Sequence, residues 1–94
     1  MTWSDALAWR VEITRTAEKQ LAKLDRQTQI SILHYLRERL ERSADPRRQG
    51  KSLRGEKNGL WRYRVGAYRI ICHLRDESKT VVVLTLGHRK EVYR

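Results

Sequence analysis

A chain of 94 residues is enough for one small domain with a single modest core, and it is read as one domain over 1–94 with a short N-terminal overhang over 1–8. Its 21 Lys and Arg against 11 Asp and Glu give a formal charge of +10, which calls for an acidic partner: nucleic acid, an anionic membrane or an acidic protein. A lone cysteine, Cys72, excludes an internal disulfide, and neither a membrane-length apolar run nor a signal-peptide pattern is present, so a reducing cytoplasm is expected.

The first element begins at Trp9. Apolar and polar residues alternate strictly over Trp9-Arg10-Val11-Glu12-Ile13-Thr14-Arg15, the pattern of a half-buried strand with Trp9, Val11 and Ile13 inward. Thr16 is the expected N-cap of a helix of about three turns striped by Ala17, Leu21 and Leu24. Asp25 closes it and opens a second helix from about Gln27 to Arg42, with Ile30, Leu33, Leu36 and Leu40 along one face. From Ser43 to Asn58 the chain turns polar, with Pro46, Gly50 and Gly55 as breakers, and a loop is expected there. Lys51, Arg54 and Lys57 in it are candidate RNA-binding residues.

The next stretch, Leu60 to His73, reads as a β-hairpin around Gly66-Ala67, a pair suited to a two-residue II′ turn. Counting outwards from that turn sets Val65 against Tyr68, Arg64 against Arg69, Tyr63 against Ile70, Arg62 against Ile71 and Trp61 against Cys72. Alternation then puts Trp61, Tyr63, Val65, Tyr68, Ile70, Cys72 and Leu74 on the core side, and Arg62, Arg64, Arg69, Ile71 and His73 on the other. Arginines facing one another across strands are a local conflict that a bound polyanion resolves, because guanidinium forks grip phosphate oxygens in pairs.

A turn at Asp76-Glu77-Ser78 leads into Lys79 to Leu86, an almost continuous apolar run that fits a central strand buried on both faces. Gly87 is expected to end that strand and to turn the tail, with His88, Arg89 and Tyr93, towards the arginine side. The element order is therefore β-α-α-β-β-β: an α+β fold with a four-stranded, mainly antiparallel sheet and a two-helix hairpin on one face.

Chemistry narrows next. After residue 50 the only carboxylates are Glu56, Asp76, Glu77 and Glu91, and no metal-ligand spacing, phosphate loop or Ser/Cys–His nucleophile is found. Neither metal nor cofactor is expected. Arginine, histidine and tyrosine remain, and these suit RNA cleavage in which the substrate's own 2′-hydroxyl attacks the adjacent phosphate. Arginines stabilise the doubly negative transition state, and His88 or Tyr93 among cations protonates the leaving 5′-oxygen. Tyr93 alternatively stacks on an unpaired base.

Three segments together, Lys51-Ser52-Leu53-Arg54-Gly55, Leu60 through Ile71, and Gly87-His88-Arg89-Lys90-Glu91-Val92-Tyr93, resemble the RelE/ParE superfamily of bacterial toxins, RelE branch, over about residues 9–94. The resemblance implies the same β-α-α-β-β-β order and a toxin of a type II toxin–antitoxin pair that cuts mRNA in the ribosomal A site without metal. It places Arg62 and Arg64 at the family's two basic positions on the second strand, Arg69 at its third-strand arginine, and Arg89 and Tyr93 at its C-terminal Arg and Tyr. The arginines are then expected to hold the scissile phosphate, the second-strand residues to help activate the 2′-hydroxyl, and His88 to serve as a further proton-transfer candidate. Arginine stands here where the best-studied members carry lysine, and it is the poorer proton acceptor. The implied partner is a RelB-like antitoxin with an acidic, amphipathic segment. The alternative within the resemblance is a ParE-like toxin that inhibits DNA gyrase by binding; a non-catalytic RNA-binding domain is the third reading.

Overall fold

The computed structural model describes residues 8–53 and 59–88. Strand β1 (Arg10–Ile13) leads into helices α1 (Arg15–Ala22) and α2 (Arg26–Tyr35), and α2 continues as a π-helical stretch over Leu36–Glu41. A 3-10 turn at Pro46–Arg48 precedes β2 (Lys51–Ser52), followed by β3 (Leu60–Val65), β4 (Tyr68–Arg75) and β5 (Thr80–His88). The sheet order is β1-β5-β4-β3-β2, with β1 parallel to β5 and the other pairs antiparallel. The α+β order expected from sequence holds. One short strand is added, β2, inside what the sequence suggested was a structureless loop.

The helix starts are fixed by side-chain caps. Thr14, rather than the expected Thr16, caps α1: its Oγ1 accepts from the Ala17 amide at 3.2 Å and donates to the Val83 carbonyl at 2.8 Å. Thr14 has the extended backbone a cap needs, and its bond to β5 ties the helix start to the sheet. Asp25 caps α2 as expected, accepting from the Thr28 amide at 3.2 Å. Where β1 ends, α1 takes over the outer side of β5, because Gln20 Oε1 accepts from the Leu86 amide at 2.8 Å and from Thr85 Oγ1 at 3.0 Å. A backbone donor that a longer β1 would have paired is thus satisfied by a side chain.

Helix α2 buries a different stripe from the expected one. Ile32, Leu36 and Leu40 are sealed in the core, whereas Ile30 and Leu33 are 50% and 44% exposed. Residues four apart on an α-helix drift by about 40° per step. The wider turn over Leu36–Glu41 reverses that drift and keeps Leu40 on the buried side. Ile13, expected inward, is 37% exposed on the sheet's edge strand.

Facing that stripe, Tyr63, Ile70, Cys72, Leu74, Val81, Val83 and Leu86 form the sheet's half of the core, closed by Trp9 and Ala17. The aliphatic side chains among them each contribute roughly 1.5–3 kcal/mol on burial. The β4–β5 register shifts between Ile71, opposite Thr85, and Cys72, opposite Val83, which leaves Leu84 as a one-residue bulge. The bulge changes the alternation, so Val83 and Leu86, three residues apart, both point into the core. Ile71 and Val82 are also buried, outside that cluster, in agreement with interior strands covered on both faces.

Among the described residues no helix is long and apolar enough to cross a membrane.

Candidate functional site

Two rows of side chains cross the sheet. The β3–β4 hairpin has the expected register throughout, from Val65 opposite Tyr68 to Trp61 opposite Cys72, and Gly66 opens its turn at φ 60°. Arg64 therefore stands directly across from Arg69, and on its far side Arg69 faces Gly87 of β5, which has no side chain to shield it. In the parallel row Lys51 of β2 pairs with Arg62, which pairs with Ile71. Neighbouring rows of a sheet bring these four cations to one end of it.

They line a single cleft of about 370 Å³ together with Gly50 and Tyr35. None of the described lining residues is acidic. Arg64 is exposed and Arg62 half-buried, but Arg69 is only 9% exposed, and its Nη1 is buried with no hydrogen-bond partner among the described residues. A buried guanidinium nitrogen without an acceptor is costly. Arg69 also lines the cleft, and an anionic oxygen there is a suitable partner for a guanidinium.

Gly50 brings the chain into the cleft wall beside Arg62. Its φ of +65° is open to glycine, and a Cβ there would overlap the Arg62 carbonyl and stand 2.7 Å from Cδ1 of Tyr63. Backbone thus lies directly on β3, and Lys51 follows it into register. Two further bonds hold this approach: Trp61 Nε1 donates to the Gln49 carbonyl at 2.7 Å, and the Tyr63 hydroxyl donates to the Pro46 carbonyl at 3.0 Å. Tyr35, at the end of α2, leans on Tyr63 with ring centroids 6.1 Å apart and planes at 57°. Burial raises the ionisation of both phenols above the ordinary tyrosine value, Arg39 opposing the effect at Tyr35. Both rings stay neutral through the physiological range.

Of the residues singled out in the sequence, the cleft brings together Lys51, Arg62, Arg64 and Arg69. Arg54, Lys57, Arg89 and Tyr93 lie outside the described residues. His88 is placed differently from expectation: β5 runs straight through Gly87, and His88 pairs with Tyr68, ring against ring at 5.7 Å and 73°. Cross-strand partners share a face, so His88 lies on the Tyr68–Ile70 side rather than with Arg64 and Arg69. Tyr35 and Gly50 are the lining residues that sequence reasoning did not place in the site, Gly50 having been read only as a loop breaker; Tyr35 is the one with a side chain to offer. Its only signal was an aromatic at the helix end three residues beyond Ile32.

The family described as ParE toxin of type II toxin–antitoxin system, parDE, matches residues 11–93. The chain is 35% identical over 88 residues to the toxin RelG of Mycobacterium tuberculosis, covering 94% of this chain and 99% of that one. Its fold is similar to a chain in the crystal structure of the toxin–antitoxin complex RelBE2 from the same organism, with a TM-score of 0.77 at 35% identity over 88% of this chain and 93% of that chain. It is also similar to a chain of the archaeal RelE–RelB complex from Pyrococcus horikoshii OT3, with a TM-score of 0.74 at 28% identity over 90% and 99% of the two chains.

Proposed function

The chain belongs to the RelE/ParE superfamily of type II toxin–antitoxin toxins, and we propose that within it this protein is a ribosome-dependent mRNA endonuclease that halts translation. One observation carries the reading: Lys51, Arg62, Arg64 and Arg69 line one cleft with no acidic side chain among the described lining residues, and Arg69 is almost wholly buried as it does so. A phosphate seated in the cleft would give the arginine cluster the negative charge it lacks. The 2′-oxygen forms the new bond to phosphorus, the bond to the 5′-oxygen breaks, and the product ends carry a 2′,3′-cyclic phosphate and a 5′-hydroxyl.

Charge grows on the non-bridging oxygens as the fifth ligand arrives. Arginines already held in place stabilise that charge without reorganising at the moment of reaction. Arg62 and Arg64 act on the 2′-oxygen by electrostatics rather than by taking its proton, since arginine stays protonated. That proton passes to solvent water, and the two cations stabilise the negative charge left on the oxygen as it attacks phosphorus. His88 lies on the Tyr68 side, so the proton for the leaving oxygen is assigned to Tyr93, with Arg89 joining the cationic set. Among the described residues every charged side chain in the lining is cationic, which disfavours a metal ion and supports a metal-independent reaction. Arg54 and Lys57 are proposed to follow the mRNA backbone beyond Lys51.

A RelB-like antitoxin is the proposed partner, since the similar chains come from toxin–antitoxin complexes. An acidic segment laid over the cleft would neutralise the arginines and exclude RNA. The family's description as a ParE toxin favours a second reading, inhibition of DNA gyrase by binding alone. Mapping mRNA 5′ ends in a translating extract, beside a gyrase supercoiling assay, separates the two. New ends within codons with normal supercoiling support the nuclease; blocked supercoiling with intact mRNA supports the gyrase inhibitor.

A further inference from the structure

Phosphate contacts from lysine and arginine position an RNA without reading its sequence, so a preference at the cut calls for a group that touches a base. Among the described residues the aromatic side chain in the lining is that of Tyr35. We propose that Tyr35 is the base-binding wall of the cleft, stacking on the mRNA base next to the phosphate held by the arginines and so biasing which codons are cut through differences in stacking strength. This deepens the ribonuclease reading and rests on it.

Three observations support the assignment. The cleft volume of about 370 Å³ sits at the lower end of the range for small-ligand pockets, about 300–1,000 Å³, and suits a single nucleotide. The Tyr35 ring is braced, because Tyr63 behind it is fully buried, anchored through its hydroxyl to Pro46 and pressed by Gly50. A ring held in this way loses little freedom when a base stacks on it. Helix α2 also changes to wider turns at the next residue, Leu36, and such turns frequently accompany functional positions. Base–aromatic stacking is tolerant of hydroxyl loss but not of ring loss, which gives the proposal a sharp test.

The experiment maps mRNA 5′ ends in a translating extract for the wild type, Tyr35→Phe and Tyr35→Leu, with thermal unfolding of each followed in parallel. Tyr35→Phe is expected to cut within about twofold of wild type at the same codons. Tyr35→Leu is expected to cut about tenfold less or weaker still, with the base preference at the cut flattened, a change that lost stability alone does not produce. Undiminished cutting with an unchanged preference in Tyr35→Leu overturns the proposal, as does an equal fall in Tyr35→Phe, which would assign the role to the hydroxyl. Should Tyr35→Leu not fold, Tyr35→Trp with ribosome-bound mRNA carrying 2-aminopurine in the A-site codon replaces it. Quenching of the probe supports stacking and unchanged fluorescence overturns it. Absence of cutting by the wild type itself is a separate outcome, which overturns the ribonuclease reading and this proposal with it.

Discussion

Arg64 and Arg69 face each other across β3 and β4 with no residue between them, and Arg69 does so while almost wholly buried. Like charges paired on a sheet cost roughly 0.2–1 kcal/mol, and an unsatisfied buried polar group costs about 1–3 kcal/mol. A protein selected for stability alone has no reason to keep both. Site function and fold stability are therefore opposed at this pair.

Replacing Arg69 tests that opposition. Arg69→Met keeps the volume and removes the charge, and it is expected to leave urea stability unchanged or to raise it by about 1 kcal/mol. In the same protein growth inhibition and mRNA cutting should disappear. A variant that is both less stable and still toxic would refute the assignment of Arg69 to the phosphate.

Gly50 carries a structural prediction with a functional consequence. Gly50→Ala must relieve a contact with the Arg62 carbonyl and the Tyr63 ring at a positive φ, a strain on the order of 1–3 kcal/mol. Urea denaturation should show a loss of about that size, and amide exchange at Lys51 and Ser52 should quicken as β2 leaves the sheet. Stability equal to wild type would mean that the close approach is not needed.

Burial raises the ionisation of the Cys72 thiol well above its ordinary value of 9.0. Only the unfolded chain then gives up this proton near pH 9, so the folded state binds more protons and loses stability as pH rises. Denaturation midpoints should be flat for this group below pH 8 and fall above pH 9, at up to about 1.4 kcal/mol per pH unit. Tyr63, also raised by burial, adds to the fall above its ordinary 10.0. Cys72→Val should lessen the slope between pH 9 and 10. At pH 7.5 thiol reagents should modify the native protein only as fast as it opens.

The hairpin was fully legible because two local signals agree: a turn that forces register by counting, and strict alternation that sorts the faces. The placement of Arg62, Arg64 and Arg69 followed from these alone. Lys51 was recognised by charge, but its pairing with Arg62 depends on Gly50 lying against β3, a contact between residues twelve apart in sequence that no local pattern encodes. Tyr35 was missed because helical periodicity near Leu36 shifts where the turns widen, which also explains the exposed Ile30 and Leu33. Gly87 was read as a strand end, yet a glycine opposite a large arginine is tolerated inside a strand, and β5 continued to His88. The misses at Lys51 and Gly87 were decided by partners distant in the chain, Arg62 and Arg69, and the miss at Tyr35 by a local change of helix geometry.

The central claim is that the arginine cleft promotes attack by the substrate's own 2′-hydroxyl, and one substitution in the RNA examines it directly. An mRNA with a single 2′-deoxynucleotide at the mapped cut, programmed on purified ribosomes with this protein, should remain whole, while the all-ribose message is cut to a 2′,3′-cyclic phosphate end. Cutting of the deoxy-substituted message at the same bond would contradict the account.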